Sequence, residues 1–139
     1  MSQASVRIEP RLAPEDQRLA LDRLIAFNAA AAGPLAHREL FVSLRQDEAL
    51  RGACIGRTYW GWLFVDILWI ADEFRGQGYG KTLIGMAEDE ARSRGCRHAY
   101  LDTFSFQAPD FYRRLGYAEF GRLPDFPEGH SRHFLTKAL

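Results

Sequence analysis

The segment from residue 62 to residue 94 constrains this chain more than any other. It opens Trp62-Leu63-Phe64-Val65-Asp66-Ile67-Leu68-Trp69-Ile70, apolar at every position but Asp66. Such a run, rich in aromatic and β-branched side chains, predicts a strand buried on both faces. After Ala71-Asp72-Glu73-Phe74 comes Arg75-Gly76-Gln77-Gly78-Tyr79-Gly80-Lys81, in which glycines alternate with other residues between two cations. Glycine reaches φ > 0 and lets a ligand approach the main chain closely. The residues that follow have helical periodicity. A helix starting at those glycines turns its free N–H groups and the positive end of its dipole back into the turn. Strand, glycine turn and helix N-terminus in that order predict an anion site, most often for phosphate.

Two common phosphate motifs do not fit. The dinucleotide fingerprint G-x-G-x-x-G accepts Gly76 and Gly78 but needs its third glycine where Lys81 stands. The Walker A loop G-x-x-x-x-G-K-[ST] would end on Gly80-Lys81-Thr82 but needs glycine where Arg75 stands.

A chain of 139 residues suits one domain with one core. A hydrophobic content of 47% and an aromatic content of 13% are those of a packed protein rather than a disordered one. Eighteen basic and eighteen acidic residues cancel, which gives no support for binding nucleic acid or an anionic membrane through charge. No apolar run approaches the ~20 residues needed to span a bilayer, and Met1-Ser2-Gln3-Ala4 has no signal-peptide pattern. Cys54 and Cys96 lie far apart without metal-ligand spacing, so the expectation is a reduced cytoplasmic protein without a zinc site.

Along the chain, residues 5–8 read as a short first strand, and Leu19, Leu21, Leu24, Ile25 and Phe27 mark a helix over residues 15–32 that stops at Gly33-Pro34. Strands follow at 39–46 and 50–59, with a turn at Asp47-Glu48. Gly52 and Gly56 in the second allow close packing or a bulge. Trp60-Gly61-Trp62 then turns the chain into the buried strand. In the helix after the glycine turn, Leu83, Met86, Ala87 and Ala91, with Ile84 beside them, form the apolar face. Glu88 and Arg92 stand at i, i+4 spacing for an outward ion pair, and Gly95 ends the helix. A strand at 98–103, a short helix at 109–115, a strand at 117–121 and a last strand at 133–137 complete a mixed α/β order around one sheet.

Two motifs together carry a family resemblance. Arg75-Gly76-Gln77-Gly78-Tyr79-Gly80 resembles the R-x-x-G-x-G turn of the GCN5-related N-acetyltransferase (GNAT) family. About thirty residues on, Ala108, Phe111, Tyr112, Gly116 and Tyr117 match that family's N-x-x-A-x-x-F-Y-x-x-x-G-F at the right spacing, with Ser105 at the asparagine. The resemblance covers residues 41–139; residues 1–40 match in general layout. It implies an α/β fold whose mixed, mostly antiparallel sheet splays at its centre, with acetyl-CoA in the splay and transfer of acetyl to a primary amine. It implies that the backbone of Leu68, Trp69 and Ile70 meets the acetyl and pantetheine groups. The backbone of Arg75, Gly76, Gln77, Gly78, Tyr79, Gly80 and Lys81 would cradle the pyrophosphate. The pantetheine contact of the missing asparagine falls to Ser105 or Gln107. Elementary chemistry agrees: an unpaired strand edge offers N–H groups to a thioester oxygen, and Arg75 and Lys81 neutralise phosphate.

In the family the tyrosine at Tyr112 is the general acid that returns a proton to the departing thiolate. Asp66, the one charge in the buried strand, reads either as the base that takes a proton from the amine or as half of a structural ion pair. Asp102 on the neighbouring strand carries the same two readings. His130 and His133 lie near the last loop, which in the family often borders the acceptor pocket, and read as solvated more readily than as catalytic, with Arg113-Arg114 as a solvated helix face. Trp60, Trp62 and Trp69 read as core or dimer contacts. Tyr59, Trp60 and Trp62 at one hairpin, with the family's habit of pairing through such elements, imply a homodimer. The expected acceptor is a small-molecule amine, without nucleic acid, membrane or metal. Acetylation of a protein N-terminus or lysine, and a non-catalytic acyl-CoA sensor, are the other readings.

Overall fold

The computed structural model describes residues 2–139, which divide into two compact units, one ending at Leu35 and one spanning Ala36–Leu139. The first contains a single helix, α1, Pro14–Ala32. Pro14 opens it, Glu15 and Asp16 stand in its first turn, and Arg18 pairs with Asp22 one turn apart. Each of these is favourable at a helix start. Gly33 closes it at φ 85°, donating its N–H to Ala29. The strand expected at residues 5–8 does not form: Val6 and Ile8 are fully exposed and the segment lies outside the sheet. A strand is held by its ladder, and β-branched residues alone do not supply one.

The second unit is a six-stranded sheet in the order β1-β2-β3-β4-β6-β5. The strands are β1 (Arg38–Gln46), β2 (Ala49–Tyr59), β3 (Trp62–Ile70), β4 (His98–Phe104), β5 (Ala118–Pro124) and β6 (Ser131–Ala138). Every neighbouring pair is antiparallel except β3 and β4. Two-residue turns at Asp47-Glu48 and Trp60-Gly61, all four residues at positive φ, join the first three strands, as the right-handed twist of a hairpin requires. The parallel pair needs a crossover, and α2 (Tyr79–Ser93) supplies it, packing on β1, β2 and β3. A short helix, α3 (Pro109–Arg114), joins β4 to β5.

Leu40, Cys54, Leu63, Val65, Ile84, Ala87, Leu101 and Leu135 form the centre of the core between α2 and the sheet. Three expectations are corrected there. β3 is not buried along its length: Leu63 and Val65 are buried, but Asp66, Ile67 and Trp69 are exposed, because β4 covers only its first half. Met86 lies outside the buried stripe of α2, which holds Ile84 as expected and Glu88 in place of Met86. Glu88 does not pair with Arg92, which turns to Asp89. Its buried carboxylate accepts from Tyr117 Oη at 2.8 Å and from Lys137 Nζ at 3.0 Å on both oxygens. A charge in the core requires such partners, and both reach it from beyond α2. No helix among the described residues is long and apolar enough to cross a membrane.

Candidate active site

The site begins where two strands part. β3 and β4 pair from Trp62↔His98 to Val65↔Leu101 and no further. Beyond that point β3 continues along β2, from Ile67↔Ile55 to Ile70↔Gly52, while β4 follows β6 from Asp102↔Phe134 to Phe104↔Arg132. Two facing edges are left without a shared ladder. Leu68, Trp69 and Ile70 lie on one, so alternate N–H groups there are directed at the gap.

Asp66 stands at the fork. Ile55 pairs with Ile67 and Gly56 with Val65, so Asp66 is the extra residue of a β-bulge. A bulge re-aims its side chain, and here it turns a carboxylate outward. Gly56 makes the bend possible: a Cβ there would lie 2.3 Å from the Phe64 carbonyl oxygen. The Asp66 side chain is 48% exposed, with Arg57 Nη2 3.6 Å from its carboxylate. Asp102, across the gap, is held closely. Arg132 gives it Nε and Nη2, each at 2.8 Å, and the Arg132 guanidinium lies 5.2–5.4 Å from the rings of Phe104, Phe126 and Phe134. The Asp102 hydrogen bond holds Arg132 above the ordinary guanidinium range. Of the two aspartates, Asp66 is the one with a loose partner.

The glycine turn lies beyond the open end of β3. Gly76 (φ 73°) and Gly78 (φ 85°) take left-handed conformations, and Gly78 caps α2. The first helical bond is Thr82 N–H to Gly78 O at 3.2 Å, and among the described residues the amides from Gly76 to Lys81 have no backbone partner. A Cβ on Gly76 or Gly78 would meet nothing within 4 Å, so these positions face open space. Gly80 is different: a Cβ there would lie 3.1 Å from the Phe111 ring, so its small size serves the approach of α3 to α2. Lys81 stands exposed in the first turn, which contains no acid. Arg75 is turned back, its Nε donating to Ile70 O at 3.0 Å and its Nη1 3.1 Å from Asp72. Gln77 donates to Glu73 O.

Tyr112 comes from α3 and is 9% exposed, its ring edge-on to Phe111 and Tyr117. Its hydroxyl makes no hydrogen bond to another described residue, yet it is not one of the fully buried unsatisfied atoms, so it stays within reach of a ligand or water. Burial, then the neighbouring Cys54 and Asp102, push it up to about 12, so at neutral pH it carries its proton. Burial likewise pushes the Cys54 thiol up to about 12, away from a nucleophile's range. Ser105 and Gln107 lie in the turn between β4 and α3. Ser105 Oγ accepts from Ser131 N–H at 3.0 Å, and Gln107 Oε1 accepts from Thr103 Oγ1 and Phe104 N–H at 3.1 and 2.9 Å. The Ser105 hydroxyl proton and the Gln107 amide nitrogen remain for a ligand.

His133 is not a solvated loop residue: it is 5% exposed on β6. One ring nitrogen meets Ser131 Oγ at 2.8 Å and the other meets Glu119. That hydrogen bond, with Arg122 and Arg113, holds Glu119 below the usual carboxylate range against the opposing effect of burial. Arg113 is accordingly tied to Asp110 and Glu119 rather than free on the helix face. His130 meets Phe106 edge-on at 5.0 Å. Trp62 stacks on His98 at 4.6 Å. Arg57 is the site residue that sequence reasoning missed. Its signal was the strand register, which the hairpin turn at Trp60-Gly61 fixes.

A sheet parted beside a glycine turn, with a protonated tyrosine on the next helix, defines an acetyltransferase architecture, and comparison with known proteins agrees. The model of the acetyltransferase (GNAT) family matches residues 7–117. Acetyltransferase Atu2258 of Agrobacterium fabrum is 38% identical over 124 residues, 88% of this chain and 90% of that protein. Blasticidin-S acetyltransferase of Streptomyces morookaense is 44% identical over 91 residues, 65% and 67% of the two chains. A crystal structure of an acetyltransferase from Bacillus cereus superposes with a TM-score of 0.88 at 32% identity, covering 96% and 98% of the two chains. The chain belongs to the GNAT family of acetyltransferases.

Proposed function

We propose that this protein transfers the acetyl group of acetyl-CoA to a primary amine of a small molecule by direct attack, with Tyr112 as the acid and Asp66 as the base. The observation that carries the proposal is the parting of β3 and β4 at the Asp66 bulge, with unpaired amides running from Gly76 to Lys81 beyond its open end. The turn amides and Lys81 bind pyrophosphate. Ser105 and Gln107 offer donors to the pantetheine arm. Edge N–H groups of Leu68, Trp69 and Ile70 polarise the thioester carbonyl. Asp66 takes a proton from the amine, directly or through one water, and Tyr112 returns one to the departing sulfur. Asp102, closed by Arg132, is the structural partner of that pair. Arg75 supports the turn through Ile70 and Asp72. A small-molecule acceptor is favoured over a protein amine by two relatives whose names give their substrates, blasticidin-S acetyltransferase and streptothricin acetyltransferase. An acyl-CoA sensor would need neither a protonated Tyr112 nor a re-aimed Asp66.

Acetyl-CoA and CoA are expected to stabilise the fold, and ATP and NAD to leave it unchanged. At ~100-fold excess over Kd the linkage is about 2.7 kcal/mol, a rise of roughly 5–10 °C in Tm for a chain of this size. Gly78→Ala is expected to abolish the rise, since it strains a residue held at φ 85° and puts a Cβ into the space over the turn. A rise with ATP and none with CoA removes the proposed donor.

Asp66→Asn keeps the shape and removes the charge. If Asp66 is the base, kcat/KM falls by ~10²-fold and the acidic limb of the pH profile moves or vanishes. Unchanged kcat/KM with a lower Tm makes Asp66 structural instead. A homodimer formed through the Tyr59–Trp62 hairpin, in the cytoplasm, completes the proposal; a monomer mass by light scattering at tens of micromolar refutes the dimer.

A further inference from the structure

We propose that the acceptor carries a carboxylate close to its reactive nitrogen, as an α- or β-amino acid does, and that Arg57 binds that carboxylate. The inference rests on the reading above, in which the amine meets Asp66 at the fork of β3 and β4.

Two arginine–aspartate pairs flank the fork, and they differ. The Arg132 guanidinium is committed: two of its nitrogens lie 2.8 Å from Asp102 and three aromatic rings surround it. The Arg57 guanidinium is not. Arg57 is the cross-strand partner of Phe64, and its guanidinium lies over that ring at 5.0 Å. The ring helps to hold the cation in place, and much of the side chain is open to solvent. Its contact with Asp66, at 3.6 Å, is longer than a hydrogen bond, and its side chain is 41% exposed. Among the described residues the Arg57 guanidinium donates no hydrogen bond. A planar fork of donors, held in place and unspent, is the group that recognises a carboxylate bidentately.

Its position sets the chemistry of the ligand. Arg57 Nη2 and an Asp66 carboxylate oxygen are 3.6 Å apart. An ammonium at Asp66 and a carboxylate at Arg57 therefore belong to the same carbon or to neighbouring carbons of one molecule. Such a zwitterion meets an opposite charge at each end. An amine with no anion would set a bare cation beside Arg57, so the site both attracts the one and repels the other.

Matched acceptors test this, each pair differing only by a carboxylate: lysine with cadaverine, and β-alanine with ethylamine. With acetyl-CoA and thiol release as the readout, the wild type is expected to show the higher kcat/KM for the carboxylated member. Arg57→Gln is expected to lower the ratio of the two kcat/KM values by about 10- to 100-fold, mostly through KM, as loss of a hydrogen-bonded charge contact does. Arg57→Lys keeps the charge without the fork and restores part of the ratio. A melt confirms that each variant is folded. A wild type that prefers the decarboxylated members, or an Arg57→Gln variant that lowers both members equally, overturns the inference and leaves amine transfer standing. Release with none of the four amines overturns the inference, and amine transfer itself then stands or falls on a wider panel.

Discussion

Tyr112→Phe is expected to lower kcat by ~10²-fold or more while CoA still raises Tm, because only the hydroxyl proton is lost. Tyr112 is buried as a residue, its hydroxyl makes no hydrogen bond to another described residue, and it is pushed up to about 12. It therefore carries a proton across the physiological range, and no described side chain competes for it. The same shift has a consequence for stability. A folded value raised above the ordinary ~10 of tyrosine favours the protonated folded state. That contribution is complete below pH ~10 and is lost as pH rises from there through about 12. Two units correspond to roughly 3 kcal/mol. Tyr112→Phe is thus expected to blunt, but not remove, the alkaline loss of stability, since burial also pushes up Tyr117 and Cys54. Stopped-flow kinetics and melts between pH 9 and ~12 check both halves. An active variant would leave the proton to solvent or to a group of the acceptor.

Lys137→Met is expected to cost about 3–5 kcal/mol, the penalty for leaving a buried charge without its partner, and to lower Tm by roughly 10–20 °C. Glu88 keeps only 7% of its side chain exposed, and Lys137 reaches both of its oxygens. The pair ties α2 to β6, and Tyr117, which closes the third hydrogen bond, stands edge-on to Tyr112. Removing both charges, as Glu88→Leu with Lys137→Met, is expected to recover most of the loss. Urea unfolding measures each variant, and a single-variant loss below ~1 kcal/mol would place the pair among weak surface contacts.

The parts of this molecule written in local pattern were legible in its sequence. Strands alternating with turn signals, the helix after Gly78 and the short helix of Tyr112 fall where periodicity and capping put them. What escaped depends on partners distant in sequence. An apolar β3 looks buried throughout until its neighbour β4 is seen to leave it at Val65. Glu88 has Arg92 at helical spacing, and nothing local reveals that Tyr117 and Lys137 are its true partners. Gly80 sits within a ligand motif yet is small for Phe111. Asp66 drew attention as the one charge in its strand. The bulge that turns it outward and the open guanidinium beside it required the register of β2 against β3.

The measurement closest to the central claim is an amine panel with acetyl-CoA, followed by thiol release and by the mass of the acceptor. The account predicts CoA release that depends on the amine, a product heavier by one acetyl group, and loss of both in Tyr112→Phe. CoA binding with no amine-dependent release across the panel would contradict it and leave a protein that holds acyl-CoA without transferring its acyl group.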